Sequence, residues 1–329
     1  MSAINFWTLI RLAEGKRIVN RYCFRVLYTG APHDICASGT SPHQQTFTTL
    51  HTQEQPHKNC ASKTSPHTDK VPGAIIPHEV IEINTIPVTV LTVSYNAEAT
   101  IARTIESVIN QTYDRIEYIV IDGASKDNTA KIAESYIDRF NACEGRSMRV
   151  ISEPDKGMYD ALNKGASLAH GEIVGQINAD DWYEPDAVET MAGLYEREGF
   201  DLAWGSLNVI TRTGNLIKHA KKGLLWTTSH WCHPAAFARR EILLEYPYPL
   251  TNSHDDFDFA THVYLDGKKL IPLDKVISNF TFGGMSTQKS LREAKKRLDE
   301  IYGIYKKYGM SRFYYLHRVL FETVKYLLT

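Results

Sequence analysis

The chain has 329 residues, of which 43% are hydrophobic and 23% charged, and its formal net charge at pH 7 is -1. This composition is ordinary for a soluble globular protein. A charge near zero excludes the strong field that draws a protein to nucleic acid, so no nucleic-acid partner is expected. The five cysteines are odd in number and show no CxxC spacing, which indicates neither a disulfide framework nor a zinc site and fits a reducing, cytoplasmic location. No stretch approaches the roughly 18 apolar residues that span a membrane.

Residues 31–78 differ in composition from everything that follows them. They contain six of the 13 histidines and six of the 13 prolines, with many Thr, Ser and Gln and no apolar period. Such a segment buries too little apolar surface to offset the entropy lost on ordering, and its His and Cys spacings match no zinc finger. We therefore predict that residues 1–85 form an N-terminal extension that is largely disordered or a linker.

From residue 86 onward, buried strands alternate with amphipathic helices. Strands are predicted over 88–95, 116–123, 148–153 and 172–177. The first is a continuous β-branched run, as expected for a parallel strand that is covered on both faces. Helices are predicted over 97–111, 125–140, 157–171 and 185–198. Gly171 is expected to end the third helix, and Pro185 to lie in the first turn of the fourth. Four strand–helix repeats indicate an α/β domain with a mostly parallel sheet.

After Gly199 the alternation loosens into an α+β pattern that completes the same domain. Strands are predicted over 200–210 and 270–282, and helical segments over 239–247 and 255–267. The end of the chain is predicted to be helical, and residues 286–329 carry ten Lys/Arg against four Asp/Glu, a net of +6. These basic, aromatic helices either cover the sheet or lie on an anionic membrane surface.

The four predicted parallel strands all end in polar residues, at the edge of the sheet where open α/β proteins bind ligands. The exits are Ser94-Tyr95-Asn96, Asp122 to Ser125, Glu153 to Gly157, and Asn178 to Asp181. Any one of these acids could cap a helix, but acids at three adjacent exits indicate a ligand. The adjacent carboxylates of Asp180 and Asp181 repel each other and need a cation, hydrogen-bond donors or water beside them.

The usual phosphate-binding loops do not occur in the sequence. No GxGxxG follows the first strand and no GxxxxGK[ST] is found, which argues against a dinucleotide site or a Walker loop. Clustered acids favour instead a divalent cation that bridges carboxylate and diphosphate. Asp180 and Asp181 are the predicted ligands.

Several ordered motifs resemble the family 2 inverting glycosyltransferases of the GT-A fold. They are "VSYNAEATIARTIESVINQTY", "EYIVIDGASKDNT", "ISEPDKGMYDALNKGASLAHGEIVGQINADD", "HWCHPAAFARR" and "FGGMST". The resemblance covers about residues 86–290 and implies a Rossmann-like sheet flanked by helices. It implies a nucleotide-sugar-binding half (86–200) and an acceptor and catalytic half (201–289). The C-terminal amphipathic helices (290–329) are predicted from the sequence pattern alone.

The resemblance also implies roles at the donor site. Asp122 matches the acid that pairs with the nucleobase, and Asp155 is implied near the ribose or base, with Lys156 close to phosphate. The strand exit formed by Ser94, Tyr95 and Asn96 would line the nucleoside pocket.

The family's D-x-D motif falls on Asn178-Ala179-Asp180, where Asn stands in the first position. Asn178 can still bond ribose or a metal-bound water, but it adds no charge. This leaves Asp180 as the implied direct ligand of Mg²⁺ or Mn²⁺, with Asp181 in support.

Inverting transfer needs a base that takes the proton of the acceptor hydroxyl. The resemblance places it in an acidic pair that opens a late helix, and the matching pair is Asp255-Asp256. We predict Asp256 as the base and Asp255 as its neighbour. Asp258 is an alternative, because the sequence DDFD allows a shift in register.

Three further assignments follow from the resemblance and from residue type. His233 matches a family position near the diphosphate or the acceptor. Trp182 and Trp231 could stack on sugar rings, whereas Trp204 is expected in the core. The segment 282–287 would form a mobile flap, since paired glycines suit a hinge.

Together these features predict a metal-assisted transfer of a sugar from a nucleotide-diphosphate sugar, UDP-linked by preference, to a hydroxyl of a glycan or lipid-linked acceptor in polysaccharide biosynthesis. The expected location is the cytoplasm, with peripheral contact to the inner face of the membrane through the C-terminal helices. Two alternatives stay open: a non-catalytic nucleotide-sugar binder or scaffold, and a sugar-1-phosphate nucleotidyltransferase. The latter normally has a Gly-rich basic loop after the first strand, which SYNAEAT is not.

Overall fold

A computed structural model describes residues 86–211, 214–221, 231–281 and 291–311, with a few residues between 313 and 323. These residues belong to one compact unit. The predicted extension 1–85 and the predicted flap 282–287 lie outside the described residues. No helix in the described part of the chain combines the length and the apolar character needed to cross a bilayer.

Nine strands of the described chain form one sheet. Their bounds are β1 Val88–Ser94, β2 Ile116–Asp122, β3 Ser147–Ser152, β4 Ile173–Asn178, β5 Trp182–Tyr183, β6 Leu202–Thr211, β7 Gly214–Lys218, β8 Ala236–Arg239 and β9 Leu270–Thr281. The order across the sheet is β3-β2-β1-β4-β8-β6-β9-β5, and β7 pairs with β6. The strands β5, β7 and β8 run antiparallel to their neighbours, and the other six run in one direction. The mostly parallel α/β sheet is therefore confirmed.

Eight α-helices of the described chain flank the sheet. They are α1 Ile101–Ile109, α2 Thr129–Glu134, α3 Ile137–Asn141, α4 Met158–Leu168, α5 Ala187–Glu198, α6 Arg240–Glu245, α7 Asp255–Leu265 and α8 Leu291–Lys307. A 3₁₀ turn, His233–Ala235, precedes β8. Strand β1 is buried at every position, as a central strand covered on both faces requires. The halves predicted on either side of residue 200 contribute strands to this same sheet.

The helix predicted over 125–140 is interrupted and forms α2 and α3. The Ser135 hydroxyl donates to the Ile132 carbonyl, which a continuous helix would offer to the Tyr136 amide. That amide bonds instead to the carbonyl of Ala133. A local side-chain bond to the backbone thus competes with the helical pattern.

The prediction that Gly171 ends a helix is wrong. Helix α4 ends at Leu168, and the next residue, Ala169, is already extended. Gly171 lies against β1, where its amide donates to Thr89 Oγ1 over 2.8 Å. A Cβ at this position would lie 2.3 Å from the Thr89 nitrogen. Glycine is therefore needed for a close approach of two backbones. Pro185 also lies outside its predicted place, because α5 has Asp186 as its N-cap and starts at Ala187.

Candidate functional site

The carboxyl ends of the central parallel strands meet at one edge of the sheet. In register, Ser94 of β1 lies beside Asp122 of β2, and Asp122 lies beside Ser152 of β3. On the other side of β1, Val93 pairs with Asn178 of β4. The strand exits singled out in the sequence therefore form one continuous polar edge.

Asp122 is fully buried and joins three of these exits. Its carboxylate accepts hydrogen bonds from the hydroxyls of Ser94, Ser125 and Ser152 and from the Ser125 amide. Four donors satisfy both oxygens and hold the strand ends in place. A nucleobase contact by Asp122 would be made in competition with these donors.

The first and third exits place further predicted residues at this edge. Asn96 has a positive φ of 49°, and its Oδ1 accepts from the Lys126 amide over 2.9 Å, which ties the first exit to the second. Tyr95 is 60% exposed. At the third exit, Asp155 Oδ1 accepts from the Gly157 amide, and the Lys156 side chain is exposed.

Gly123 brings the carboxylate of Asp155 close to the second exit. A Cβ on Gly123 would lie 2.6 Å from Asp155 Oδ2, so only a residue without a side chain allows this approach. No local sequence signal marks Gly123, because its role depends on a residue 32 positions later in the chain.

The turn between β4 and β5 presents the two adjacent acids in different environments. Asp180 is half-buried; burial raises the pKa of its carboxyl, and the charge of Arg103 opposes that rise. Asp181 is fully buried. Burial, followed by the neighbouring charge of Asp180, raises the pKa of Asp181 to about 8. Its Oδ1 accepts from the Thr281 amide over 3.2 Å, whereas its buried Oδ2 has no hydrogen-bond partner.

Arg103 holds this turn in place through hydrogen bonds. It was not among the residues predicted from the sequence. Its guanidinium donates to the Asp180 carbonyl over 2.7 Å and to Thr281 Oγ1 over 3.3 Å. The guanidinium carbon lies 3.8 Å from the centroid of the Trp182 ring, a cation–π contact. One face of Trp182 is therefore covered by Arg103. The signal in the sequence was slight: Arg103 is the one basic residue of α1.

Asp256 projects from the first turn of α7 and is half-buried. The Tyr159 hydroxyl donates to its Oδ1 over 2.9 Å, and Trp231 Nε1 donates to its Oδ2 over 3.1 Å. Among the described residues each oxygen has one donor, which leaves it acceptor capacity. Burial, followed by the charge of Asp256, raises the pKa of Tyr159 well above its usual range, so this phenol stays a donor. Tyr159 lies four residues after Asp155, which brings Asp256 next to the third strand exit.

The two acids beside Asp256 have internal partners. Asp255 is fully buried and accepts from the amides of Thr251 and Asn252 and from the Thr251 hydroxyl. Asp258 is 4% exposed and is bound by Lys307 and Tyr308 near the end of the described helix α8. Of the three acids in DDFD, Asp256 thus has the most accessible carboxylate.

His233 lies in an aromatic environment close to Asp256. Its ring centroid is 6.5 Å from that of Trp231 and 6.2 Å from that of Tyr248. Both ring nitrogens are buried without a hydrogen-bond partner. Burial lowers the pKa of His233 despite the opposing charge of Asp256, which favours a neutral imidazole. Trp204, expected in the core, is 2% exposed and packs on Trp231.

This arrangement offers two chemically distinct centres. The β4–β5 turn has two carboxyl groups, one with an unpartnered oxygen, which is a donor set that hard divalent cations accept. No group of three or more His, Cys, Asp or Glu able to hold a metal occurs among the described residues, so other oxygen ligands would complete the coordination. Asp256 is a fixed carboxylate with free acceptor capacity, which is what proton removal from a hydroxyl requires.

Comparisons with known proteins identify the family and the fold. The model of the family "Glycosyl transferase family 2" matches residues 89–255. The PGL/p-HBAD biosynthesis glycosyltransferase of Mycobacterium bovis (strain BCG / Pasteur 1173P2) is 30% identical over 211 residues, which are 62% of this chain and 80% of that protein. The chain spans much less of three other curated relatives, 29%, 18% and 11% of their lengths.

Two groups of solved structures share the fold. TarS from S. aureus, in complex with UDP-GlcNAc, aligns with a TM-score of 0.52 at 18% identity, over 67% of this chain and 66% of that one. The mannosyltransferase PcManGT from Pyrobaculum calidifontis, in complex with GDP-Man and Mn²⁺, aligns with a TM-score of 0.53 at 19% identity, over 74% of this chain and 70% of that one. The GT-A fold is thereby confirmed, and the chain belongs to glycosyl transferase family 2.

Proposed function

We propose that the protein transfers a sugar, with inversion, from a nucleotide-diphosphate sugar to a hydroxyl of a glycan or lipid-linked acceptor in polysaccharide biosynthesis. The observation that carries this proposal is the Asp256 carboxylate, half-buried and held by Tyr159 and Trp231 on separate oxygens. In this role Asp256 accepts the proton of the acceptor hydroxyl as that oxygen attacks the anomeric carbon, and the nucleoside diphosphate leaves from the opposite face.

The donor would lie along the polar edge of the sheet. Asp122, Asp155 and the exit residues Ser94, Tyr95 and Asn96 would surround the nucleoside, and Lys156 would approach a phosphate. Asn178 would bond ribose or a metal-bound water. A uridine donor is our preference, in line with the complex of TarS with UDP-GlcNAc, and the complex of PcManGT with GDP-Man makes guanosine the alternative to test.

Asp180 would bind Mg²⁺ or Mn²⁺ directly, with Asp181 in support. The cation would offset the charge that develops on the leaving diphosphate. The residues of this chain fit that task. The described side chains that bond Asp180, those of Arg103 and Thr281, reach its backbone carbonyl and leave its carboxylate free, and Asp181 has a buried unpartnered oxygen. His233 and Trp182 would then border the diphosphate and the acceptor.

We further propose a cytoplasmic location with peripheral contact to the membrane through α8 and the residues after it. Phe313, Leu316 and Leu320 are 79%, 59% and 54% exposed, and they follow a helix rich in Lys and Arg. Exposed apolar side chains next to basic ones favour an anionic lipid surface. Co-sedimentation with anionic vesicles at low salt, lost with neutral vesicles, would support this contact.

The first experiment is a calorimetric titration of UDP, GDP and dTDP with and without Mn²⁺, on the wild type and on Asp180→Ala. We expect one nucleotide to bind with a requirement for both Mn²⁺ and Asp180. A transfer assay on Asp256→Asn then separates an enzyme from a scaffold: loss of transfer with intact nucleotide binding supports the enzyme. Nucleotide binding without any transfer by the wild type, across donors and acceptors, would favour the scaffold.

A further inference from the structure

Helix α8 packs against the turn that presents Asp256 and contacts the residues just before it. Oε2 of Glu300 accepts from the Ser253 hydroxyl over 2.6 Å and from the Ser253 amide over 3.3 Å. The same oxygen lies 3.1 Å from Nδ1 of His254. The Glu300 side chain is only 13% exposed, so a buried carboxylate fixes the entry into α7.

The residues just after Asp256 also contact α8. The Phe257 side chain is fully buried against Ile301, Ile304 and Tyr305. One residue further, Asp258 accepts from Lys307 over 2.9 Å and from the Tyr308 hydroxyl over 2.5 Å. Contacts with α8 thus hold the chain both just before and just after Asp256.

Asp256 points the other way from this attached face. Side chains of successive helix residues are rotated by about 100° around the helix axis. Since Phe257 and Asp258 point toward α8, Asp256 points away from α8, toward Tyr159 and Trp231. The position of α8 therefore determines how far the Asp256 carboxylate projects toward the site.

A series of polar contacts links Glu300 to Asp256. Glu300 holds Ser253 through its amide and hydroxyl. The Ser253 carbonyl lies 3.2 Å from the Tyr159 hydroxyl, which is 2.9 Å from Asp256 Oδ1. This hydroxyl has one proton, and the carboxylate is the nearer acceptor. A shift of Ser253 would consequently displace both the α7 turn and the donor that orients Asp256.

We propose that Glu300 is a positioning residue for Asp256, and that α8 is the element that sets the place of this carboxylate. The proposal rests on the function proposed above for Asp256. Apolar burial of Phe257 alone tolerates small sliding of one helix on another, since it is non-directional. The bonds of Glu300 to Ser253 and His254 are directional and remove that freedom.

The test compares Glu300→Ala and Glu300→Gln with the matched control Asp299→Asn. Asp299 is the preceding residue of α8, its side chain is 63% exposed, and it lies 3.6 Å from Lys295. For each variant one measures kcat, KM for donor and acceptor, nucleotide Kd and the melting temperature, with the kinetics taken well below that temperature.

We expect kcat to fall about tenfold in Glu300→Ala, because a displacement below 1 Å is costly at a reacting centre. Nucleotide Kd should stay within about twofold, because Ser253 and His254, which Glu300 bonds, are not residues of the polar edge. The loss should be smaller in Glu300→Gln, whose amide oxygen still accepts from Ser253, and Asp299→Asn should match the wild type.

Two outcomes contradict the proposal in distinguishable ways. If the wild type is active and the folded Glu300→Ala protein has the same kcat, then Glu300 only stabilises the packing of α7 on α8. A wild type that binds nucleotide but transfers no sugar would refute the proposed function, and the role of Glu300 with it.

Discussion

The Tyr159 hydroxyl of α4 and the Asp256 carboxylate of α7 are joined by a hydrogen bond of 2.9 Å. Trp231 Nε1 approaches the second carboxylate oxygen. Two donors on separate oxygens fix the plane of the carboxylate before a substrate arrives. Such preorganisation reduces the cost of reaching the reactive geometry.

Tyr159→Phe should lower kcat for transfer about tenfold, because the variant removes one bond to an ionised group while the ring still packs. Nucleotide affinity should change little. Tyr195→Phe is the matched control, since its hydroxyl bonds Glu172 over 2.9 Å near the protein surface. Equal kcat in Tyr159→Phe and Tyr195→Phe would rule out a role of this bond in orienting Asp256.

The variants Asp256→Asn and Asp258→Asn should show which of the two acids is the catalytic base and which only holds α7 to α8. We expect Asp256→Asn to lose transfer by about 10²-fold or more while nucleotide binding persists, because an amide cannot take a proton. Asp258→Asn should keep most of the transfer activity. Its free energy of unfolding should fall by about 2 kcal/mol, less than for a fully buried ion pair, because the Lys307 side chain is 48% exposed and solvent screens the pair. Denaturant unfolding and a transfer assay measure both quantities. The reverse pattern would assign the base to Asp258.

Asp181 should make the metal-free protein less stable as pH rises. Its pKa is raised to about 8 by burial and by Asp180, from 3.8 for an ordinary aspartate. Between these values the folded protein holds a proton that the unfolded chain has released, so the free energy of unfolding falls with increasing pH. Asp181→Asn removes this dependence of stability on pH. In the presence of a chelator, the melting temperature of the variant minus that of the wild type should increase from pH 5 to pH 8.

The control for this pH series is Asp186→Asn, which removes a surface carboxylate 2.6 Å from Lys275. A constant difference between Asp181→Asn and the wild type across the pH range would contradict the expectation.

Mn²⁺ should stabilise the wild type more at pH 8 than at pH 6. A cation beside Asp181 competes with the proton that this buried carboxyl retains at lower pH. The shift in melting temperature on adding Mn²⁺ measures the effect, and Asp180→Ala should abolish it at both pH values. A Mn²⁺ shift that survives in Asp180→Ala would place the cation elsewhere.

Gly123→Ala should weaken nucleotide binding about tenfold, because a Cβ 2.6 Å from Asp155 Oδ2 pushes this carboxylate away. Stability should change little, since Asp155 is a half-buried residue of a loop. Gly303→Ala is the control: apart from its chain neighbours and the backbone of its own helix, no atom of the described chain would lie within 4 Å of its Cβ, and the change favours helix α8. Calorimetric titration compares the two. Unchanged affinity in Gly123→Ala would remove Asp155 from the donor site.

The sequence was informative where a single segment carries the whole signal. A continuous β-branched run predicted β1, and short apolar-rich segments predicted β2 and β4. The polar residues that follow these strands predicted the polar edge. The strands β5, β7 and β8 have two to five residues and form through pairing with distant partners, so no local periodicity marks them.

The contacts around Asp256 were not predicted for a related reason. Tyr159 and Trp231 lie 97 and 25 residues away from it in the chain, and nothing in their own segments indicates a contact with Asp256. Likewise the three serines around Asp122 come from separate strand ends. Roles of this kind become visible only when the fold brings the residues together.

The separation of Tyr159, Trp231 and Asp256 along the chain has a consequence for recombination between relatives. A crossover placed anywhere between Tyr159 and Trp231 would take the phenol from one parent and the indole and carboxylate from the other. A crossover after Asn163 would also divide the part-buried bonds between Asn163 and the backbone of Tyr248. In a chimera designed to exchange acceptor preference, α4 should therefore come from a parent whose residue at position 159 can still bond the Asp256 carboxylate of the other parent.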